Sequence, residues 1–161
     1  MCIRDRSRTL TLNKGTSLGV EKGDCVVDQY GYLVGVITDA GLNWSTVTTI
    51  LDTDSQLGAL VFRTGEVTVA MGDLALMNQG KLKLSYLEGE SSLINGDMIV
   101  TSNISGKFLP GILVGYATDI TVDYNDNLTK SGYLIPAARF DRLQEVLVIT
   151  DLKDAGPEIN E

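Results

Sequence analysis

Two stretches of this chain repeat each other. Gly31-Tyr32-Leu33-Val34-Gly35-Val36-Ile37-Thr38-Asp39 and Gly111-Ile112-Leu113-Val114-Gly115-Tyr116-Ala117-Thr118-Asp119 both read G-x-L-V-G-x-x-T-D. Ahead of the first copy stands Gly23-Asp24-Cys25-Val26-Val27, and ahead of the second Gly96-Asp97-Met98-Ile99-Val100. The order is the same in both: a Gly-Asp turn, an apolar strand, a loop, then a second strand broken by glycine. Gly-Asp suits a tight turn because glycine accepts positive φ and aspartate bonds its own backbone. Gly31 and Gly111 begin the second strand, and Gly35 and Gly115 interrupt it. A glycine inside a strand marks a bulge, a bend or a close backbone approach of the kind found at barrel corners. The chain is therefore expected to fold as two similar β-units.

The rest of the chain agrees with that reading. Thr9-Leu10-Thr11-Leu12 alternates polar and apolar residues, as a half-buried strand does. Lys81-Leu82-Lys83-Leu84-Ser85-Tyr86-Leu87 is the clearest case, with lysines expected in water and leucines in the core. Further β-branched runs lie at 34–38, 46–51, 66–69, 98–101, 112–120 and 146–150. No segment keeps a 3.6-residue period over three turns; a short helical turn is expected only over 139–145. The fold class is all-β, two small barrel-like subdomains related by the repeat. Residues 1–7 read as a leader outside the fold, 8–70 as the first subdomain and 71–80 as the connecting turn region. The second subdomain is placed at 81–150, with an acidic tail at 151–161. Gly72-Asp73 and Asn78-Gln79-Gly80 supply turn chemistry at the boundary.

Composition narrows what such a fold can do. The net charge is −8, and lysines such as Lys81 and Lys83 are too sparse for the basic stripe of a nucleic-acid binder. The same charge argues against electrostatic docking on anionic lipid. Histidine is absent, which removes the commonest general base and metal ligand. Two cysteines, Cys2 and Cys25, make no disulfide framework, and Cys25 beside Val26 and Val27 reads as a small buried apolar residue. No apolar run reaches the roughly 18 residues that a membrane-spanning helix needs.

Three motifs invite a chemical reading and fail it. Asp52-Thr53-Asp54 resembles the D-T-G loop of aspartic proteases, but Asp54 stands where glycine belongs, and a backbone-bonded turn is the better account. Asp123-Tyr124-Asn125-Asp126-Asn127 matches the first ligand positions of a calcium loop. However, Leu128 and Leu134 occupy the glycine and glutamate positions, so it reads as a polar hairpin tip. Ser105-Gly106-Lys107 lacks the upstream glycines of a phosphate loop, and Ile104 fills the serine position of a Ser-x-x-Lys pair. No catalytic residue, cofactor-binding residue or metal ligand is assigned. The candidates that remain are aromatic residues on loops, Tyr30, Tyr32 and Trp44, as anchors for a protein partner, against the plainer and slightly favoured reading that each caps a barrel end as core. Phe108 is read as core.

In their order along the chain, these landmarks resemble a family. Asn13-Lys14-Gly15, Gly19-Val20 and Gly23-Asp24 are similar to the opening of the β-domain of the bacterial shape-determining MreC family. Leu51-Asp52-Thr53-Asp54-Ser55 and Arg63-Thr64-Gly65-Glu66 look like its next landmark. Gly96-Asp97-Met98-Ile99-Val100-Thr101-Ser102, then Gly106-Lys107-Phe108-Leu109-Pro110-Gly111 through Gly115, resemble its G-D-x-V-V-T-S and G-x-F-P-x-G-x-x-V-G patterns. Pro136-Ala137-Ala138 and 140–149 are similar to its closing strand. Asn103 and Ser105 depart from frequent glycines, and Leu109-Pro110 from a Pro-Pro pair. The resemblance implies two small barrels outside the cytoplasm, carried in the full-length protein by an inner-membrane anchor and a dimerising coiled coil that this sequence lacks. It implies a non-enzymatic scaffold of the wall-elongation complex. The implied partners are the elongation-specific class B penicillin-binding transpeptidase, MreD, RodA and the MreB cytoskeleton. The competing reading is a barrel that binds a small ligand or glycan; a degenerate hydrolase ranks below both.

Overall fold

The structure is a computed structural model that describes residues 9–53, 55–77, 79–87, 92–102, 109–123, 129–140 and 142–150. In chain order the strands are β1 (Thr9–Leu12), β2 (Cys25–Asp28), β3 (Leu33–Ala40), β4 (Ser45–Thr49), β5 (Gln56–Val61), β6 (Val67–Met71), β7 (Leu82–Leu87), β8 (Met98–Thr101), β9 (Leu113–Asp123), β10 (Thr129–Pro136) and β11 (Val146–Ile149). A 3₁₀ turn, Thr16–Leu18, follows β1, and a one-turn helix, α1 (Leu74–Met77), stands between β6 and β7. Asp73 starts that helix by accepting hydrogen bonds from the Ala75 and Leu76 amides at 2.9 and 3.2 Å.

The strands form two antiparallel assemblies. One is a five-stranded sheet in the order β1-β4-β3-β2-β11; the other is a closed six-stranded barrel in the order β10-β7-β6-β5-β8-β9. The fold is all-β and built on the duplicated unit, and of the two assemblies only the second closes.

The repeat survives to the level of single hydrogen bonds. In the first copy Cys25 pairs with Val36, Val26 with Gly35 and Val27 with Leu33, with a register shift after Val26. In the second, Met98 pairs with Tyr116, Ile99 with Gly115 and Val100 with Leu113, with the shift at the same place. Gly23 and Gly96 take φ of 90° and 92°, a region closed to most side chains, and donate to the Ile37 and Ala117 carbonyls at 2.8 and 2.7 Å. The carboxylate of Asp24 accepts from the Glu21 amide, and that of Asp97 from the Ile94 amide, at 2.9 and 3.0 Å. Gly31 and Gly111 match in the same way, donating to the Asp28 and Thr101 carbonyls. A Cβ at Gly35 would strike the Thr48 carbonyl on β4, and one at Gly115 the Ile135 carbonyl on β10. That is the close approach the interrupted strands imply.

The placement of the subdomains differs from the sequence expectation. β5 and β6, inside the 8–70 segment, pair with β8 and β7 in the barrel, whereas β11, inside 81–150, closes the edge of the first sheet on β2. The turn region 71–80 is internal to the barrel and links its neighbouring strands β6 and β7. The barrel is thus one contiguous segment, 56–136, set into the sheet between β4 and β11. The reason is that alternation marks a strand without naming its partner. The inward residues of β5 (Leu57, Ala59, Val61) are complemented by Ile99, Val114 and Leu134, far along the chain. Of the 139–145 stretch, residues 139–140 and 142–145 are described and are not helical; the Arg142 amide donates to the Arg139 carbonyl in a turn before β11.

Two apolar cores hold the molecule. Leu57, Ala59, Val61, Ala70, Leu82, Leu84, Ile99, Val114, Ala117 and Leu134 fill the barrel core, with Lys83 turned out to water as expected. Leu10, Leu12, Val20, Val26, Val34, Ile37, Val47 and Val146 form the core on one face of the sheet. The opposite face, through Cys25 and Leu33, joins the barrel core by way of Ile50 and Leu51, with Val36 and Ile149 packed against it. β2 and the first residues of β3 are therefore buried on both faces, and the four residues of β2 are buried without alternation.

Candidate partner interface

The aromatic residues singled out by sequence sit on turns, at two separate places. The β2–β3 turn is tied by Asp28, whose Oδ1 accepts from the Tyr30 and Tyr32 amides at 2.9 and 3.0 Å. This turn presents Tyr30, 71% exposed, with its ring centroid 5.8 Å from that of Tyr32. Tyr32 itself is half-buried against the core of the first sheet. Trp44 lies at the other end of β3, in the turn to β4, with its indole over Gly41, where any side chain would collide with it. The Thr16 and Ser17 amides bond the Gly41 and Leu42 carbonyls at 2.8 and 3.0 Å, so Leu18, Leu42 and Trp44 are exposed on adjoining turns. The eight residues of β3 span about 26 Å. Tyr30 and Tyr32 therefore form one place and Trp44 another. Phe108 lies outside the described residues, as do the 103–107 and 124–128 stretches; Pro110 and Gly111 lie on the exposed turn before β9.

The barrel wall carries a larger feature that the sequence reading passed over. Met98 on β8 faces Tyr116 on β9, and Tyr116 faces Ile135 on β10. The Phe62 amide, just past β5, donates to the Met98 carbonyl at 2.9 Å and continues the line. The next residue along each strand (Val61, Ile99, Ala117, Leu134) is buried inside. Phe62, Met98, Tyr116 and Ile135 therefore point outward in one row across four neighbouring strands, and they are 67%, 37%, 39% and 45% exposed. Tyr133, two residues along β10, widens the row, with Lys83 of β7 opposite it. Lys81 pairs with Asp119 at 3.6 Å on the same flank. Scattered apolar residues on a surface are ordinary, whereas a contiguous set of large ones marks an interaction site.

The repeat shows why this row is exceptional. Met98 and Tyr116 match Cys25 and Val36 of the first copy. There the equivalent face is covered: Cys25 is fully buried in the shared core and Val36 packs against it. Small residues stand where the fold covers the face, and large ones where it does not. That change of size between aligned copies is the signal in the sequence that would have found the row.

The end of the row at Phe62 is fastened by an ion pair. Arg63 donates from Nε to Asp97 Oδ1 and from Nη2 to Asp97 Oδ2, each at 2.9 Å, and from Nη2 to the Ser92 carbonyl at 2.8 Å. Glu66 Oε1 accepts from the Ser92 amide and hydroxyl at 3.0 and 2.7 Å. The hydrogen bonds from Arg63 hold the Asp97 carboxyl below the usual carboxylate range, against the opposing effect of burial. Hydrogen bonding to Asp97 likewise raises Arg63. Among the described residues no group of three or more His, Cys, Asp or Glu could hold a metal ion, and no helix is long and apolar enough to cross a membrane.

An all-β chain of duplicated units, with a packed barrel and an uncovered apolar wall, has the build of a structural domain. The family described as "Rod shape-determining protein MreC, barrel core" matches residues 3–150, and the chain belongs to that family. It is a family of structural, shape-determining proteins, not of enzymes. The cell shape-determining protein MreC of Bacillus subtilis is 31% identical over 150 residues, which cover 89% of this chain and 51% of that protein. The chain spans about half the length of the first curated relatives it matches. Among solved structures, MreC from Pseudomonas aeruginosa superposes with a TM-score of 0.82 at 22% identity, covering 92% of this chain and 94% of the other. The fold also matches, with a TM-score of 0.67 at 16% identity, a chain from a complex between a penicillin-binding protein and MreC of Helicobacter pylori, covering 88% of this chain and 85% of the other.

Proposed function

We propose that this chain is the extracytoplasmic β-domain of a membrane-anchored, non-enzymatic scaffold of bacterial wall elongation, and that it holds a penicillin-binding transpeptidase on the outer wall of its barrel. The observation that carries this reading is the Phe62–Met98–Tyr116–Ile135 row, a face left bare in one copy of a repeat whose other copy covers it. Large apolar and aromatic side chains are the residues that dominate binding energy at protein interfaces. The Helicobacter pylori complex, in which MreC is bound to a penicillin-binding protein, supports the choice of partner. Membership of the family supports the wider setting, in which the full-length protein self-associates and works with MreD, RodA and the MreB cytoskeleton. The alternative, a barrel for a small ligand or glycan, needs a cavity with convergent polar groups. Most of the described buried positions of the barrel strands are aliphatic, and the buried Thr68 and Thr101 hydroxyls are spent on the Ser85 and Leu109 carbonyls, so they do not converge on a cavity.

The test is biolayer interferometry of the purified chain against the extracytoplasmic part of the elongation transpeptidase from the same source, with the division-specific transpeptidase as control. Binding is expected to the elongation enzyme alone. Tyr116→Ala should weaken it about tenfold or more, whereas Trp44→Ala should leave it within about twofold. Dependence on Trp44 or Tyr30 in place of Tyr116 would move the interface to the turns. No binding, even after fusion to a dimeric coiled coil, would overturn the partner.

A further inference from the structure

The turn before β8 contains the chain's single Asn-Gly pair, Asn95-Gly96; the matching turn of the first copy has Lys22-Gly23. Asn-Gly is where an asparagine deamidates most readily, because the following residue offers its backbone nitrogen with no side chain in the way. Asn95 is exposed, and Gly96 is held at φ 92°. Two hydrogen bonds oppose the reaction. The Gly96 amide donates to the Ala117 carbonyl at 2.7 Å, which ties up the attacking nitrogen. The Asn95 Oδ1 accepts from the Ile120 amide at 3.1 Å, which holds the carbonyl under attack against β9. The segment is clamped at both ends from the β5–β6 turn, with Arg63 on Asp97 and the Ser92 carbonyl, and Glu66 on the Ser92 amide and hydroxyl.

We propose that Asn95 is a deamidation site gated by this Arg63–Glu66 clamp. With the clamp closed, Gly96 stays bonded to Ala117 and the amide persists. When the segment opens, the Gly96 nitrogen loses its proton to solvent base and attacks Asn95 Cγ. A C–N bond forms, the bond from Cγ to the side-chain nitrogen breaks, and ammonia leaves with a proton from water. Water then opens the cyclic imide at either carbonyl, giving aspartate or isoaspartate. Either product adds a negative charge two residues from Asp97. The isoaspartate also lengthens the backbone by one carbon just ahead of Met98, at the edge of the apolar row.

The experiment is to age the full chain at mildly alkaline pH and follow amide-to-acid conversion by peptide mass spectrometry, with isoaspartate scored enzymatically. Native protein should convert at least about tenfold more slowly than the same chain in urea, because reaction waits on local opening. Arg63→Met and Glu66→Ala should each convert severalfold faster than native protein while circular dichroism shows them folded. Asn95→Gln should abolish the conversion in that peptide. Equal rates in native and unfolded chain, or folded clamp variants that age like the parent, would overturn the proposal. If Arg63→Met does not fold, Glu66→Ala decides by the same readings.

Discussion

Cys25 and Met98 occupy one position in the two copies and differ by what lies over them. At 25 the shared core is closed, and at 98 the side chain meets solvent. Exchanging the two sizes should therefore be asymmetric. Cys25→Met is expected to cost about 1–3 kcal/mol of stability through overpacking, whereas Met98→Cys should stay within about 0.5 kcal/mol. Urea unfolding of both variants measures this. Asp97 carries a pH dependence. The Arg63 hydrogen bonds hold its folded pKa below the ordinary carboxylate range, so the stability it contributes is present above the unfolded value and is lost as pH falls through the folded one. Asp97→Asn should thus be less stable than the parent near neutrality, and the gap should close in strong acid. A gap that stays constant with pH would show that the Asp97 charge plays no part. Much at this scale was legible in the sequence, namely the Gly-Asp turns, the interrupting glycines and the buried Cys25. The Arg63–Asp97 pair was not, because 34 residues separate partners that meet only once β5 lies beside β8.

Strands show where sequence reasoning stopped. The alternation of β7 correctly turned Lys83 outward and buried Leu82 and Leu84. The run at 66–69, most of β6, could not say which assembly would take it, and 56–61, which forms β5, was not marked as a strand at all; chain order grouped both with the first subdomain, whereas they pair in the barrel. The observed pairing makes the barrel contiguous and the sheet discontinuous, since the sheet needs both 9–49 and 146–149. A fragment of residues 52–138 should then keep a β-type circular dichroism spectrum and melt cooperatively, whereas a fragment of 8–80 should not. Folding of 8–80 alone would contradict the pairing of β5 with β8. The interface row escaped notice for a related reason. Met98 and Tyr116 lie in runs that each read simply as a strand, Ile135 lies in β10, which the sequence did not mark as one, and only lateral register joins the three.

For the whole molecule, the two assemblies share a core through Cys25, Leu33, Ile50 and Leu51, so they should unfold together. Trp44, the single tryptophan, belongs to the sheet, while most strand residues belong to the barrel. Urea transitions followed by tryptophan fluorescence and by far-ultraviolet circular dichroism should therefore coincide. A sheet transition that precedes the barrel's would mean that the shared core is weak. The layout also decides how the domain carries tension. The barrel is inserted between β4 and β11, and the two strands nearest the chain's ends, β1 and β11, lie on opposite edges of the same sheet. A pull applied at Thr9 and Ile149 is borne by the ladders of that sheet. The barrel, attached through the links at 50–55 and 137–145, hangs outside the line of force, so its wall keeps its shape while the rest of the domain is stretched.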